Sequence, residues 1–314
     1  MSTILIILIN IVAGSACLIY GVNMMGSGLE KMNLNRIKHI LTRFTENIVS
    51  SVTVGTIVTA IVQSSTAVTI ITVGLVNTGV LKFSQALGII YGANIGTTIT
   101  AQFMSFNITD FFPTFVSLGV VIWLMGKKQF VKNMGKALIG FGFMLMGISI
   151  LSWSMPYMEK SQLVKDVFMK YGKNPYLGMV IGMVATMLVH SSSATIGFTI
   201  VLFNSGFISF DAAIGFILGD NIGTCFTTLL VGIGATISAK RTAWAHTLYN
   251  IIGSLIALTL LAPFAFLVKS FTSMLGQDSL RLVANAHTLF NILSAIVFLP
   301  FTKYYVKFIE WIVK

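Results

Sequence analysis

This chain contains two copies of one unit. Residues 55–100 align on residues 182–227 without a gap, at an offset of 127, with roughly two positions in five identical. Gln63-Ser64-Ser65-Thr66-Ala67 falls on His190-Ser191-Ser192-Ser193-Ala194, and Gly92-Ala93-Asn94-Ile95-Gly96-Thr97 falls on Gly219-Asp220-Asn221-Ile222-Gly223-Thr224. Asn77 and Gly79 fall on Asn204 and Gly206. Apolar helices align by composition alone, but composition does not bring Gln/His, paired serines, Asn and Gly-Thr into register. A repeat of this length is one folding unit used twice. The preceding segments match more weakly, Met25-Gly26 against Met146-Gly147, and a local echo relates Ala245-His246-Thr247-Leu248-Tyr249-Asn250-Ile251 to Ala286-His287-Thr288-Leu289-Phe290-Asn291-Ile292.

The unit belongs in a bilayer. Only 9% of the 314 residues are charged and 55% are apolar, whereas an ordinary soluble domain carries about 25% charge. That composition excludes a soluble enzyme, a disordered chain and a disulfide-stapled secreted domain. The net charge of +11 lies in short loops between apolar runs, so it does not point to nucleic acid. Cys17 and Cys225 match no metal spacing. Apolar segments lie near 4–28, 47–76, 80–105, 111–126, 134–153, 176–204, 208–233, 242–268 and 282–302. The break at 29–46, with Glu30, Lys31, Arg36, Lys38, Arg43 and Glu46, reads as a short interfacial helix. The run from Ile4 lacks a basic leader and a small-residue cleavage site, so it reads as a retained membrane segment. The sequon at Asn107-Ile108-Thr109 carries little weight. The organisation expected is a first transmembrane repeat over 1–126, a second over 127–268, and a C-terminal transmembrane helix and tail over 269–314.

Length argues for re-entrant hairpins. The 30-residue run 47–76 would make a helix of about 45 Å, against a hydrocarbon core of about 30 Å. Two half-helices meeting near Gln63 fit better, and 176–204 divides in the same way at His190. Irregular backbone at that depth is tolerated where it is buried in protein or lines a cavity. With a hairpin, each unit crosses the membrane an odd number of times, and the second unit is inverted. The distribution of basic residues does not choose between inverted and parallel repeats. The fold class expected is an all-α polytopic membrane protein of two inverted repeats, each with a re-entrant helical hairpin and broken helices. Gly96 and Gly223, beside Asn and Thr, read as helix breaks.

Hydroxyls and amides are costly in hydrocarbon unless they find partners. A broken helix exposes free N–H groups at the start of its second half, with the positive end of the dipole. Ser64, Ser65, Thr66, Ser191, Ser192 and Ser193 stand where those starts fall. Hydroxyls beside free N–H groups form an anion site without Lys or Arg, and none of the 20 basic residues lies deep in an apolar run. The bland alternative for any one serine is a bond to its own i−4 carbonyl; a duplicated five-residue cluster makes that reading much weaker. Substrate-binding candidates are Gln63, Ser64, Ser65, Thr66, Asn94, Thr97, His190, Ser191, Ser192, Ser193, Asn221 and Thr224. Candidate Na⁺ ligands are the hard oxygens of Gln63, Asn94, Thr98, Asp220, Asn221 and Asn250. Asp220 is an acid within an apolar run, a functional candidate by default, with burial against a loop Lys as the alternative. His246 with Asn250, and His287 with Asn291, are i,i+4 pairs for which a ligand role and a structural hydrogen bond weigh equally; His246, His287 and Asn291 form a second tier. Cys225, next to Thr224, is expected to line the cavity when that side is open.

The paired QSS-type and paired N-I-G-T motifs resemble the type II sodium/phosphate cotransporter family, in a compact prokaryotic form. The resemblance covers nearly the whole chain, most specifically 55–100 and 182–251. Gln63, Ser64 and Ser65 match the first QSSS motif with Thr66 in place of its last serine. Ser191, Ser192 and Ser193 match the second with His190 in place of its glutamine. Ala245-His246 through Asn250 resembles the family's A-x-x-H-x-x-x-N helix, with Thr247 where electrogenic animal members carry Asp. The resemblance implies a multi-pass cell-membrane carrier of inorganic phosphate, with Na⁺ as coupling ion and no other cofactor, working by alternating access rather than as an enzyme. Self-association stays open. The rivals are a channel, an intramembrane serine hydrolase using Ser191 with His246 or His287, and a carrier of another oxyanion. No nucleophile turn of the G-x-S-x-G type accompanies the serines.

Overall fold

The computed structural model describes residues 3–106 and 108–314; Asn107, and with it the sequon, lies outside them. Among the described residues the chain is all helix and turn, with no strand. Its elements repeat at the sequence offset. Helices α2 (Ile48–Val62) and α3 (Ser65–Asn77) recur residue for residue as α8 (Pro175–Val189) and α9 (Ser192–Asn204), and α4 (Phe83–Met104) recurs as α10 (Phe210–Gly232). Preceding the two units are α1 (Thr3–Arg43) and α6 (Gln129–Lys160); α5 (Phe112–Met125), α7 (Gln162–Tyr171), α11 (Ile237–Thr259), α12 (Leu261–Met274) and α13 (Leu282–Ile312) complete the chain. Four stretches are long and apolar enough to cross a membrane unaided: Thr3–Met32, Gln129–Lys160, Phe210–Gly232 and Ser279–Ile312. The number rises to six if α4 with α5, and α11 with α12, each count as one bent span.

The interruption between α2 and α3 is a reversal. Gly55 of α2 backs onto Ile89 of α4, Gly92 onto Val52 and Thr56, and Gly96 onto Thr56 and Ala60. These contacts advance together, so α2 and α4 run parallel. The turn between α3 and α4 is short, and Gln85 at the start of α4 donates to the Thr45 carbonyl just ahead of α2 (2.6 Å). The chain therefore returns along α3 to the level at which it entered. The second unit does the same: Gly215 meets Pro175, Gly219 meets Met179 and Gly223 meets Met183, while Ser209 N–H donates to the Gly172 carbonyl (2.8 Å). Both re-entrant hairpins expected from segment length are present.

Glycine sets how closely these helices approach. A methyl group on Gly92 would overlap the Val52 carbonyl, and one on Gly219 the Met179 carbonyl. Small residues of this kind let membrane helices pack backbone to backbone, where dispersion rather than hydrophobicity drives association. Gly96 and Gly223 do the same against Thr56 and Met183, inside helices that run unbroken. The expected helix breaks at these two glycines are therefore absent; Asn94 bonds a neighbouring helix, and Asn221 and Thr224 bond within their own. Antiparallel packing joins the units through α1 and α6, where Gly14 meets Gly147, Gly21 meets Gly140 and Gly28 meets Asn133 and Ala137.

Two further expectations change. The segment 29–46 is not a separate interfacial helix: α1 continues through it to Arg43, because no Pro or Gly after Gly28 interrupts the turn-by-turn bonding. The apolar run 242–268 is two helices, α11 and α12, bent by 88°. The core between α4, α11 and α13 is aromatic, with Tyr91 stacked on Tyr249 at 4.5 Å and Phe298 edge-on to Tyr249 at 4.7 Å.

The close approach is testable by adding one methyl group. Gly219→Ala is expected to destabilise the protein by roughly 1–3 kcal/mol, because backbone cannot yield as a side chain can. Gly74→Ala in α3, where nothing lies within 4 Å, is expected to be neutral or slightly stabilising through helix propensity. Thermal unfolding in detergent reads both; equal midpoints for the two variants would contradict the parallel packing of α8 and α10.

Candidate functional site

The two hairpin tips share one backbone solution. Gln63 (φ 58°, ψ 27°) and His190 (φ 54°, ψ 27°) terminate α2 and α8 in the left-handed region. They are the only non-glycine residues with positive φ among the described residues. Such a conformation costs an ordinary side chain of order 1–3 kcal/mol and concentrates at functional sites. Glycine would relieve the strain, but it would remove the side chain that the site uses. Gln63 Oε1 accepts from the Thr100 hydroxyl (2.7 Å), and its amide N–H donates to the Ala60 carbonyl. His190 Nδ1 pairs with the Thr227 hydroxyl (3.1 Å). Thr100 and Thr227 are equivalent across the repeat, so the imidazole nitrogen stands where the amide oxygen stands in the other copy.

The next residue starts the returning helix. Ser64 (φ −147°) and Ser191 (φ −145°) are extended N-caps, and their hydroxyl oxygens accept from Ala67 N–H (3.2 Å) and Ala194 N–H (3.3 Å). Each cap satisfies one orphan donor of the first turn. The N–H groups of Ser65 and Thr66, and of Ser192 and Ser193, have no intrahelical acceptor by position. Each tip thus presents free N–H groups, hydroxyls and the positive end of a helix dipole.

Both tips open onto one cavity of about 380 Å³. Its wall holds Gln63, Ser64, Ser65, Thr66, Thr97, His190, Ser191, Ser192 and Ser193, all expected from sequence. No Lys or Arg lines it. The polar residues Asn23, Ser27 and Glu30 of α1 also line it, and these the sequence reading missed. The available signal was their spacing: 23, 27 and 30 lie at i, i+4 and i+7, a polar stripe on an otherwise apolar helix.

The remaining candidates lie behind the tips rather than on this wall. Asn94 Nδ2 donates to Asn250 Oδ1 (2.8 Å), joining α4 to α11, and Asn250 Nδ2 donates to the His246 carbonyl (3.0 Å) and to Cys225 Sγ (3.2 Å). Asn221 Nδ2 bonds the Ile217 carbonyl (2.8 Å), Thr98 the Ile95 carbonyl (2.8 Å) and Thr224 the Asp220 carbonyl (3.0 Å). His246 Nδ1 pairs with Thr228 Oγ1 (3.2 Å), which in turn meets Thr69 Oγ1 (3.4 Å) and so connects α11, α10 and the first hairpin. Asn291 Nδ2 bonds the His287 carbonyl (2.9 Å); both ring nitrogens of His287 and Asn291 Oδ1 are buried without a partner among the described residues. Cys225 is fully buried between Asn221, His246 and Asn250 and does not line the cavity in this conformation. Its side chain points to the α11 side of α10.

Asp220 sits directly behind the second tip. It is wholly buried; Oδ1 accepts from Thr186 Oγ1 (2.8 Å), and Oδ2 has no partner among the described residues. The Thr186 hydroxyl also meets Thr195 Oγ1 (2.9 Å), and the Thr186 carbonyl accepts from His190 N–H (2.8 Å). Thr186 therefore touches both the carboxylate and the strained tip. The first unit has Thr59, Ala93 and Val68 at the equivalent positions, so the acid exists in one copy only. A buried carboxylate oxygen without a donor is costly as an anion unless a cation meets it, and the surrounding hydroxyl and carbonyl oxygens are hard ligands of the kind a small cation takes.

Comparison with known proteins places the chain in a family. The model of the family described as Na+/Pi-cotransporter matches residues 17–153 and 158–299, one serine tip in each stretch. The chain is 30% identical over 306 residues to the uncharacterized protein YqeW of Bacillus subtilis (strain 168), covering 98% of both chains. It is 26% identical over 307 residues to YjbB of Escherichia coli (strain K12), a protein named for inorganic phosphate export, covering 98% of this chain and 56% of that one. Over 119 residues it is 32% identical to sodium-dependent phosphate transport protein 2A of Rattus norvegicus, covering 34% of this chain and 19% of that one. The chain thus spans only a little over half the length of YjbB. No solved structure matches. The chain is a multi-pass membrane protein and belongs to the Na+/Pi-cotransporter family.

Proposed function

We propose that this protein is a secondary active carrier of inorganic phosphate, coupled to Na⁺, with the oxyanion held between the two serine tips. The observation that carries the reading is the cavity lined by both tips. It offers hydroxyl and N–H donors from two helix starts, and no basic side chain that would hold a phosphate too tightly to release. Helix N-termini of this kind stabilise anions, and broken helices near the midplane are a recurrent way for carriers to build substrate sites. A carrier rather than a hydrolase also fits the serines. Ser64 and Ser191 spend their oxygens on capping, and neither His246 nor His287 lines the cavity on which Ser191 opens.

Sodium coupling follows from charge. Bringing HPO₄²⁻ inward against an inside-negative potential costs about 2.3 kcal/mol per charge per 100 mV. Two Na⁺ cancel that term, and each adds its own gradient. Asp220, with Thr186 and Thr195, supports one cation position behind the second tip. The antiparallel packing of α1 on α6, which occupy corresponding places before the two hairpins, supports inverted repeats and alternating access by rocking one unit against the other. A carrier of this kind is reversible. One relative is named for phosphate export, another for sodium-dependent phosphate transport; either direction follows from the prevailing gradients.

Radiolabelled phosphate flux in proteoliposomes tests the reading. A Na⁺ gradient, inward or outward, is expected to drive saturable phosphate movement in its own direction. Flux that is non-saturating and indifferent to Na⁺ would point to a channel instead.

Two variants test the parts. Ser65→Ala and Ser192→Ala each remove a donor to a charged ligand, worth roughly 1.5–3 kcal/mol. Apparent KM for phosphate should rise about tenfold to a hundredfold at normal protein level; wild-type flux from both would remove the tips from the substrate site. Asp220→Asn should weaken Na⁺ activation more than phosphate affinity, because a carboxylate attracts a cation and repels an anion. Loss of phosphate affinity with unchanged Na⁺ activation would contradict the cation role.

A further inference from the structure

The cavity carries one formal charge, and it has the wrong sign for an oxyanion site. Glu30 of α1 lines the same space as both serine tips, together with Asn23 and Ser27 from its own helix face, and no basic residue joins them. Gly26, on the same stretch, lies against the Gln63 carbonyl and the Ser64 side chain. Glu30 is one helical turn further along, about 6 Å by axial rise. The residue is partly buried. Among the described residues the only ion pair is Arg241–Glu310, so no protein cation neutralises Glu30. It stands two residues before the end of the apolar stretch Thr3–Met32, beside Lys31.

The first copy alone has this feature. With Met25-Gly26 set on Met146-Gly147, Asn23, Ser27 and Glu30 fall on Met144, Ile148 and Leu151. Met144 and Leu151 are fully buried in the core. The polar stripe is therefore not a requirement of the helix in this fold; it belongs to the side of the cavity that α1 forms.

We propose that Asn23, Ser27 and Glu30 hold a monovalent cation on the cavity wall, and that this cation is the counter-charge without which the oxyanion does not bind. This site is separate from the one behind the second tip, where Asp220 faces away from the cavity wall. It rests on the reading of the cavity as a phosphate site. The carboxylate supplies the negative ligand, and the Ser27 hydroxyl and Asn23 amide oxygen supply neutral ones. The bound ion faces the serine tips across the cavity. An empty Glu30 repels phosphate; a Glu30 that carries Na⁺ does not. By linkage, phosphate raises the affinity for sodium by the same factor that sodium raises the affinity for phosphate.

Equilibrium binding of radiolabelled phosphate to the detergent-purified protein tests this. Na⁺ is titrated against choline at constant ionic strength. The wild type is expected to bind phosphate measurably only with Na⁺. In Glu30→Gln, which keeps size and polarity, binding without Na⁺ should rise. The ratio of phosphate affinities with and without Na⁺ should then fall by at least about fivefold, the lower end of ordinary coupling. Glu30→Asp should keep the Na⁺ requirement. Should Glu30→Gln fail to purify as a monodisperse protein, the Asn23→Ala, Ser27→Ala double variant reads the same site. It is expected to need more Na⁺ for half-maximal phosphate binding while its Na⁺-free affinity stays at the wild-type level. An unchanged Na⁺ dependence in the variants, with phosphate still bound, overturns the Glu30 site and leaves the phosphate reading standing. A wild type without saturable phosphate binding at any Na⁺ concentration overturns both.

Discussion

Everything at the centre of this protein depends on a backbone reversal made twice within an apolar segment. Each reversal places a Gln or His in a conformation that glycine would take at lower cost, then starts a new helix at a serine cap. Reversal at that depth leaves backbone groups without helical partners, and hydrocarbon offers none. The protein meets the deficit locally. Thr100 and Thr227 hold the strained side chains, and the cap hydroxyls take one N–H each. The N–H groups still unspent belong to residues that line the shared cavity. What would be a defect in a continuous helix is thereby turned into the donor set of the proposed binding site.

The hairpins can stand only because something rigid stands beside them. Glycines in α4 and α10 let these two helices lie against α2 and α8 with backbone touching backbone. The tips are thus positioned by unbroken helices rather than by loops. The same continuity explains why Asn94 and Asn250 meet each other and not the cavity: they join α4 to α11 and fix the scaffold laterally. The polar residues of the two N-I-G-T stretches serve the frame, with Thr97 alone on the wall.

Much of this was legible in the sequence. The offset of 127 predicts both hairpins at their true boundaries, because a gapless repeat preserves helix ends as well as residues. The excess length of an uncharged run predicts the reversal, and paired serines predict where the second half-helix starts. Other features escaped for physical reasons. Gly96 and Gly223 look alike whether they break a helix or pack one, and only the neighbour's position decides. The 88° bend between α11 and α12 carries no proline at the break itself and no polar interruption in the run. Glu30 looked like the edge of a surface helix because charge density rises after it, yet the helix continues and its polar stripe turns inward. That stripe gives the cavity its electrostatic character.

The account's central claim is that the two tips, distant in sequence and equivalent by repetition, face each other across one anion site. Paired cysteines measure this directly. In a background with Cys17→Ser and Cys225→Ser, Thr66→Cys and Ser193→Cys place one thiol on each tip, to be bridged by a short bifunctional thiol reagent. The account predicts an intramolecular bridge, seen as the linked peptide pair by mass spectrometry, that forms in the double variant and is suppressed by phosphate with Na⁺ but not by chloride. Two thiols that each react singly and never bridge, or a bridge indifferent to phosphate, would contradict it.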